Sequence, residues 1–202
     1  MGRLEQYDIV VLLDRSGSMS TRDCPNQKSR WEYARENVEA VVARAAQIDQ
    51  DGLDLVVFGS RVKTYSQVTP AKIAQIYAEV EPMGSTATDE ALKAVLPATW
   101  FADRRAGRNK PQIILVFTDG EPNDRAAVAK VLVEASNAIG QDADLAVSFV
   151  QVGYDDGARR FLTTLDDSLQ GLGAKFDIVD TRTMDDLEEL GVLGLLEAAI
   201  DD

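Results

Sequence analysis

The chain has 202 residues, of which 45% are hydrophobic and 27% charged, and it carries a formal net charge of −13. That length and balance fit one self-folding domain with a real apolar core rather than a disordered segment, and the acidity argues against nucleic acid and anionic lipid surfaces as partners. Histidine is absent and Cys24 is the single cysteine, which excludes Ser-His-Asp and Cys-His catalysis, histidine metal sites and an intrachain disulfide.

From the N-terminus, "MGRLEQYDIV" has neither the basic start nor the apolar centre of a secretory leader. "YDIVVLLD" is a continuous β-branched apolar run, the pattern of a strand buried on both faces. It ends in "DRSGS", where Asp14, Ser16 and Ser18 alternate with other residues around Gly17. After a long polar stretch, "MSTRDCPNQKSRW", apolar residues from Trp31 to Ile48 recur at helical spacing, and Gly52 follows. "LDLVVF" (53–58) reads as a second buried strand. "RVKTYSQV" (61–68) alternates apolar with polar after a two-residue "GS" hairpin signal, so it is expected antiparallel at a sheet edge.

Thr69 and Pro70 open a short helix through Val80. A further helix starts in "TDEALKAVL" (88–96), which Pro97 should end or kink, with Thr88 as its cap. The strand "QIILVF" (112–117), a helix from Ala126 to Ile139, the strand "LAVSFVQV" (145–152), a helix from Ala158 to Leu169, a short strand "KFDIVD" and a capped helix after Thr183 complete the chain. Alternating strand and helix predicts an α/β class, a doubly wound Rossmann-like three-layer sandwich on a mostly parallel sheet with one antiparallel edge strand. No repeat or linker marks a second domain, so residues 1–202 read as one, and no apolar run is long enough for membrane insertion.

Ligands of open parallel sheets sit beyond the carboxyl ends of the strands. Asp14 lies at such an end, and so does Asp119 in "ILVFTDGEPND"; if the two strands are neighbours, the carboxylates converge. The loop "MGSTATDEAL" adds hydroxyls at Ser85, Thr86 and Thr88. Two converging carboxylates repel unless a proton or a cation neutralises them. Carboxylate and hydroxyl oxygens are hard donors that suit Mg2+, Mn2+ or Ca2+ rather than zinc.

"DRSGS", the threonine of "GSTAT" and the aspartate of "TDG", in this order, resemble the metal-ion-dependent adhesion site of von Willebrand factor type A domains, and the resemblance spans about residues 7–200. It implies a six-stranded doubly wound sandwich with the third strand antiparallel. It implies Asp14, Ser16, Ser18, Thr86 and Asp119 as metal ligands, some direct and some through water, with Thr86 taken in preference to Thr88. It further implies a binding module, not an enzyme: the metal accepts an Asp or Glu side chain from a protein partner. The general likeness is to intracellular bacterial members that accompany stress-response or tellurite-resistance proteins, or AAA+ ATPases, and the location expected is cytoplasmic.

The competing reading is Mg2+-dependent phosphoryl transfer with Asp14 as nucleophile. Against it, Ser16 stands where haloacid dehalogenase phosphatases carry a second Asp. Neither G-x-G-x-x-G nor G-x-x-x-x-G-K-[ST] follows any predicted strand, which argues against nucleotide binding. Glu121 and Asp124 fit acids expected at a helix start, and Cys24 reads as a bystander.

Overall fold

The computed structural model describes residues 3–48 and 52–201. Six strands, β1 (Asp8–Asp14), β2 (Leu53–Phe58), β3 (Val62–Val68), β4 (Gln112–Thr118), β5 (Leu145–Gln151) and β6 (Val179–Arg182), form one sheet in the order β3-β2-β1-β4-β5-β6. All neighbouring pairs are parallel except β2 with β3, which is antiparallel. Chain order reverses between β1 and β4, so the crevice of a doubly wound sheet opens there.

Alternate residues of the central strands feed two cores. Ile9, Val11 and Leu13 of β1 pack under α1 (Arg30–Ile48), α2 (Pro70–Glu79) and α7 (Met184–Ala198). Val10 and Leu12 face α3 (Thr88–Val95), α4 (Ala98–Arg105), α5 (Arg125–Ala138) and α6 (Asp156–Ser168). Burial on both faces is why β1 and β4 read as unbroken apolar runs, while β3, exposed along most of its length, alternates. Among the described residues, no helix is long and apolar enough to cross a membrane.

Local departures from the sequence-based expectations have physical causes. The last strand begins at Val179, not in "KFDI", because the Ser136 hydroxyl takes the Phe176 N–H at 2.8 Å and donates to the Phe176 carbonyl, drawing that backbone away from the ladder. The β2–β3 turn includes Arg61, whose carbonyl accepts from Gly59 N–H at 3.1 Å. Thr88 is not a cap: Ala87 occupies that position and Thr88 is the first, buried, helical residue. Pro97 ends α3 and caps a separate α4.

Candidate metal centre

In the parallel register Leu12 lies opposite Val116 and Leu13 opposite Phe117, so Asp14 emerges beside Thr118 on the same face. The Thr118 hydroxyl donates to Asp14 Oδ2 at 2.7 Å, and the Ser16 backbone N–H donates to Asp14 Oδ1 at 2.7 Å. From the Ser16 side chain onward the hydroxyls lead to the second acid. Ser16 Oγ meets Ser18 Oγ at 3.1 Å, and the Ser18 hydroxyl donates to Asp119 Oδ1 at 3.0 Å. Asp14, Ser16, Ser18 and Asp119 are thus gathered from two strand ends into one cluster.

Thr86 joins through its backbone. Gly17 N–H donates to the Gly84 carbonyl at 3.1 Å, tying the first loop to "GSTAT". Thr86 N–H donates to Asn123 Oδ1 at 3.1 Å, and Asn123 N–H returns to the Thr86 carbonyl at 2.9 Å. Gly84 needs to be glycine: its φ is +86°, and a side chain there would collide with Ser60 Oγ. Thr86 is therefore buried and fixed next to the two acid-bearing loops, although among the described residues no hydrogen bond joins its hydroxyl to the other four.

Both carboxylates have no exposed surface. Burial pushes Asp14 up to about 6, the charge of Asp119 adds to that, and the hydrogen bonds from Ser16 and Thr118 pull the other way. Two carboxylates sharing a buried site with three hydroxyls present an oxygen-only donor set, which fits a hard divalent cation and not a thiolate- or imidazole-seeking one.

A residue the motif does not contain completes the centre. Arg30, at the start of α1, donates from Nη1 to Asp119 Oδ2 at 2.9 Å and from Nε and Nη2 to Asp23 at 2.6–3.1 Å. Its guanidinium lies against Gly153, where any side chain would collide with it. The long segment before α1 is thereby folded back onto the centre through short 3-10 turns at Gly17–Ser20 and Pro25–Gln27 and a Cys24–Lys28 bridge. The basic character of Arg30 is visible in the sequence, but nothing in the spacing joins residue 30 to residue 119. Of the nearby acids, Asp124 caps α5 by accepting from Ala127 N–H at 2.9 Å, and Glu121 pairs with Arg125.

Comparison with known proteins places this arrangement among relatives. The sequence model of the von Willebrand factor type A domain matches residues 9–121, a span that holds all five candidate ligands. No curated protein matches the chain. Among solved structures, the PilB minor pilin of Streptococcus sanguinis superposes with a TM-score of 0.64 at 14% identity, over 97% of this chain and 60% of the pilin. This chain thus spans less than two thirds of that relative. Manganese-loaded TRAP protein of Plasmodium vivax gives a TM-score of 0.59 at 17% identity, over 97% of this chain and 74% of that one. An aerotolerance-related membrane protein of Bacteroides fragilis gives 0.51 at 24% identity, over 75% and 70%. At such identities the likeness is one of fold.

Proposed function

This chain belongs to the von Willebrand factor type A family, whose domains mediate protein–protein interaction, and on that premise we propose that it is a divalent-cation-dependent adaptor that docks an acidic side chain of a partner protein. Asp14, Ser16, Ser18, Thr86 and Asp119 would hold the cation, Mg2+ with Ca2+ or Mn2+ as substitutes. The bound ion would supply a positive, orientation-dependent contact for the incoming carboxylate on an otherwise acidic protein. The observation that carries this reading is the gathering of two fully buried carboxylates, Asp14 and Asp119, with the hydroxyls of Ser16 and Ser18, Ser16 bound to Asp14 through its backbone N–H and Ser18 to Asp119 through its hydroxyl. A manganese-loaded fold neighbour accords with it.

Phosphoryl transfer is the poorer reading. Both oxygens of Asp14 are already hydrogen-bonded and the side chain has no exposed surface, an unsuitable state for a nucleophile. We read the chain as a binder, placed in the cytoplasm beside a stress-response or tellurite-resistance system; cell fractionation tests the location.

Calorimetric titration of metal-stripped protein with Mg2+, Mn2+ and Ca2+ tests the site. The expected result is saturable one-site binding in the wild type, lost in Asp14→Ala and in Asp119→Ala with the circular dichroism unchanged. Wild-type affinity in both variants would sink the assignment.

A further inference from the structure

The rim around the centre is unevenly charged, and the unevenness describes a partner. Five large apolar side chains are well exposed among the described residues, and the two most exposed, Met83 at 60% and Tyr154 at 59%, flank the candidate centre. Met83 N–H donates to the Arg15 carbonyl, one residue from Asp14, and Tyr154 follows Gly153, against which Arg30 lies. In the strand order they stand on opposite sides: Met83 over the β2 end, Tyr154 over the β5 end, with the Asp14–Asp119 crevice between β1 and β4 in the middle.

The Met83 side carries two arginines beside a single exposed acid, Glu81, while Glu79 is paired with Lys63. Arg15 N–H donates to the Phe58 carbonyl and Arg61 sits in the adjoining β2–β3 turn. Neither guanidinium has a carboxylate partner among the described residues, although acids outnumber bases 34 to 21 in the chain; Arg15 donates only to the Glu81 carbonyl, at 3.3 Å. On the Tyr154 side the charge is reversed. Asp155 and Asp156 begin α6, Asp185 lies in the first turn of α7, and Asp185, Glu188 and Asp23 are near enough to act on the Tyr154 hydroxyl. Of the cations on that side, Arg30 and Arg125 are taken up by Asp23 with Asp119 and by Glu121, Arg182 pairs with Asp180, and Arg159 and Arg160 lie further along α6, with Arg159 near enough to act on Asp186.

We propose that this rim is a polarised docking surface for a partner segment carrying, beyond the acid that seeks the cation, a second acid beside an apolar residue toward Arg15, Arg61 and Met83, and a basic residue toward Tyr154. The inference rests on the reading of the centre as a cation site. Its chemistry is that of protein interfaces: Met, Tyr and Arg are enriched there, opposite potentials meet across them, and a partner cation gains over a tyrosine ring.

A random peptide library selected on immobilised protein, with Mg2+ and separately with EDTA, provides the test, using wild type, Arg61→Glu and Tyr154→Ala. Wild type should enrich peptides with two acids, an apolar residue and a base at fixed spacing. Arg61→Glu should lose the second acid and bind the wild-type peptides at least about fivefold more weakly, while its Mg2+ titration is unchanged; Tyr154→Ala should lose the preference for the base. Identical enrichment from all three proteins, or none from wild type, would overturn the proposal. If the charge preferences follow the variants equally in EDTA, the rim stands and the cation reading falls.

Discussion

Arg30 is the side chain on which the centre most depends outside the motif. Asp119 is fully buried and its Oδ2 is compensated by Arg30, so removing the cation leaves a buried carboxylate unpaired, a change that costs about 3–5 kcal/mol. Arg30→Met should lower stability in metal-free chemical denaturation by that order, and the Arg30→Met/Asp119→Asn double variant should recover part of it. Additive losses would show the pair to be uncoupled. Cys24 allows a second check at this scale. Burial, and then the charge of Asp23, push its thiol up to about 11, with the sulfur enclosed against Met184 at 3.6 Å. At pH 8 only about one thiol in a thousand is then ionised, so disulfide-exchange reagents should label folded protein slowly, about tenfold faster per pH unit, and unfolded protein at once. The convergence of Asp14 and Asp119 was legible because each stands where an apolar run stops on strands that proved to be neighbours, whereas the ligand roles of all five candidates came from the family resemblance, since Asp and Ser at such a place also serve to cap a turn. The Thr118 hydroxyl and Arg30 were not legible, since their partners are 104 and 89 residues away.

At the scale of elements, legibility followed burial. Strands covered on both faces announce themselves as apolar runs, and an edge strand announces itself by alternation. What the sequence hid is set by tertiary bonds: the late start of β6, imposed by Ser136, and the irregular register at Leu53/Leu55 opposite Gln67, whose φ is +54°. The turn before β5 shows how such a bond shapes stability. Burial alone would raise Asp144, but Arg104 at 2.8 Å and the N–H groups of Gln141 and Gly140 outweigh it and hold the carboxyl below its ordinary 3.8. A lowered carboxyl stabilises the fold above the unfolded pKa and loses that contribution as pH falls through the folded one. Asp144→Asn should therefore cost about 1–3 kcal/mol at pH 7, with the difference from wild type closing below pH 3.8 in urea titrations. A constant difference across that range would dissociate the loss from ionisation.

Across the whole molecule, the sheet lies between two apolar cores, and β1, β2, β4 and β5 contribute side chains to both. The five candidate ligands come from three loops on one end of that sheet, and a doubly wound order is what allows loops so far apart in sequence to share a crevice. A pattern of alternating strands and helices was enough to anticipate the architecture; the distribution of charge around the rim needed the coordinates.

Asp14 closes β1, and Asp119 follows directly on β4, the two strands at the heart of the sheet, each flanked by strands on both edges and by helices on both faces. Amides so enclosed are released to solvent only when the whole domain opens. In native-state hydrogen exchange the N–H groups of Val11, Leu12, Leu115 and Val116 should be among the slowest, with an opening free energy equal to that of global unfolding, and those of β3 among the fastest in the sheet. Early exchange in β1 or β4 would refute this. Asp14 is then anchored for as long as the sheet is folded, whereas Asp119, one residue past β4, stands where rigid strand gives way to loop, so any change in the separation of the two acids originates on the Asp119 side.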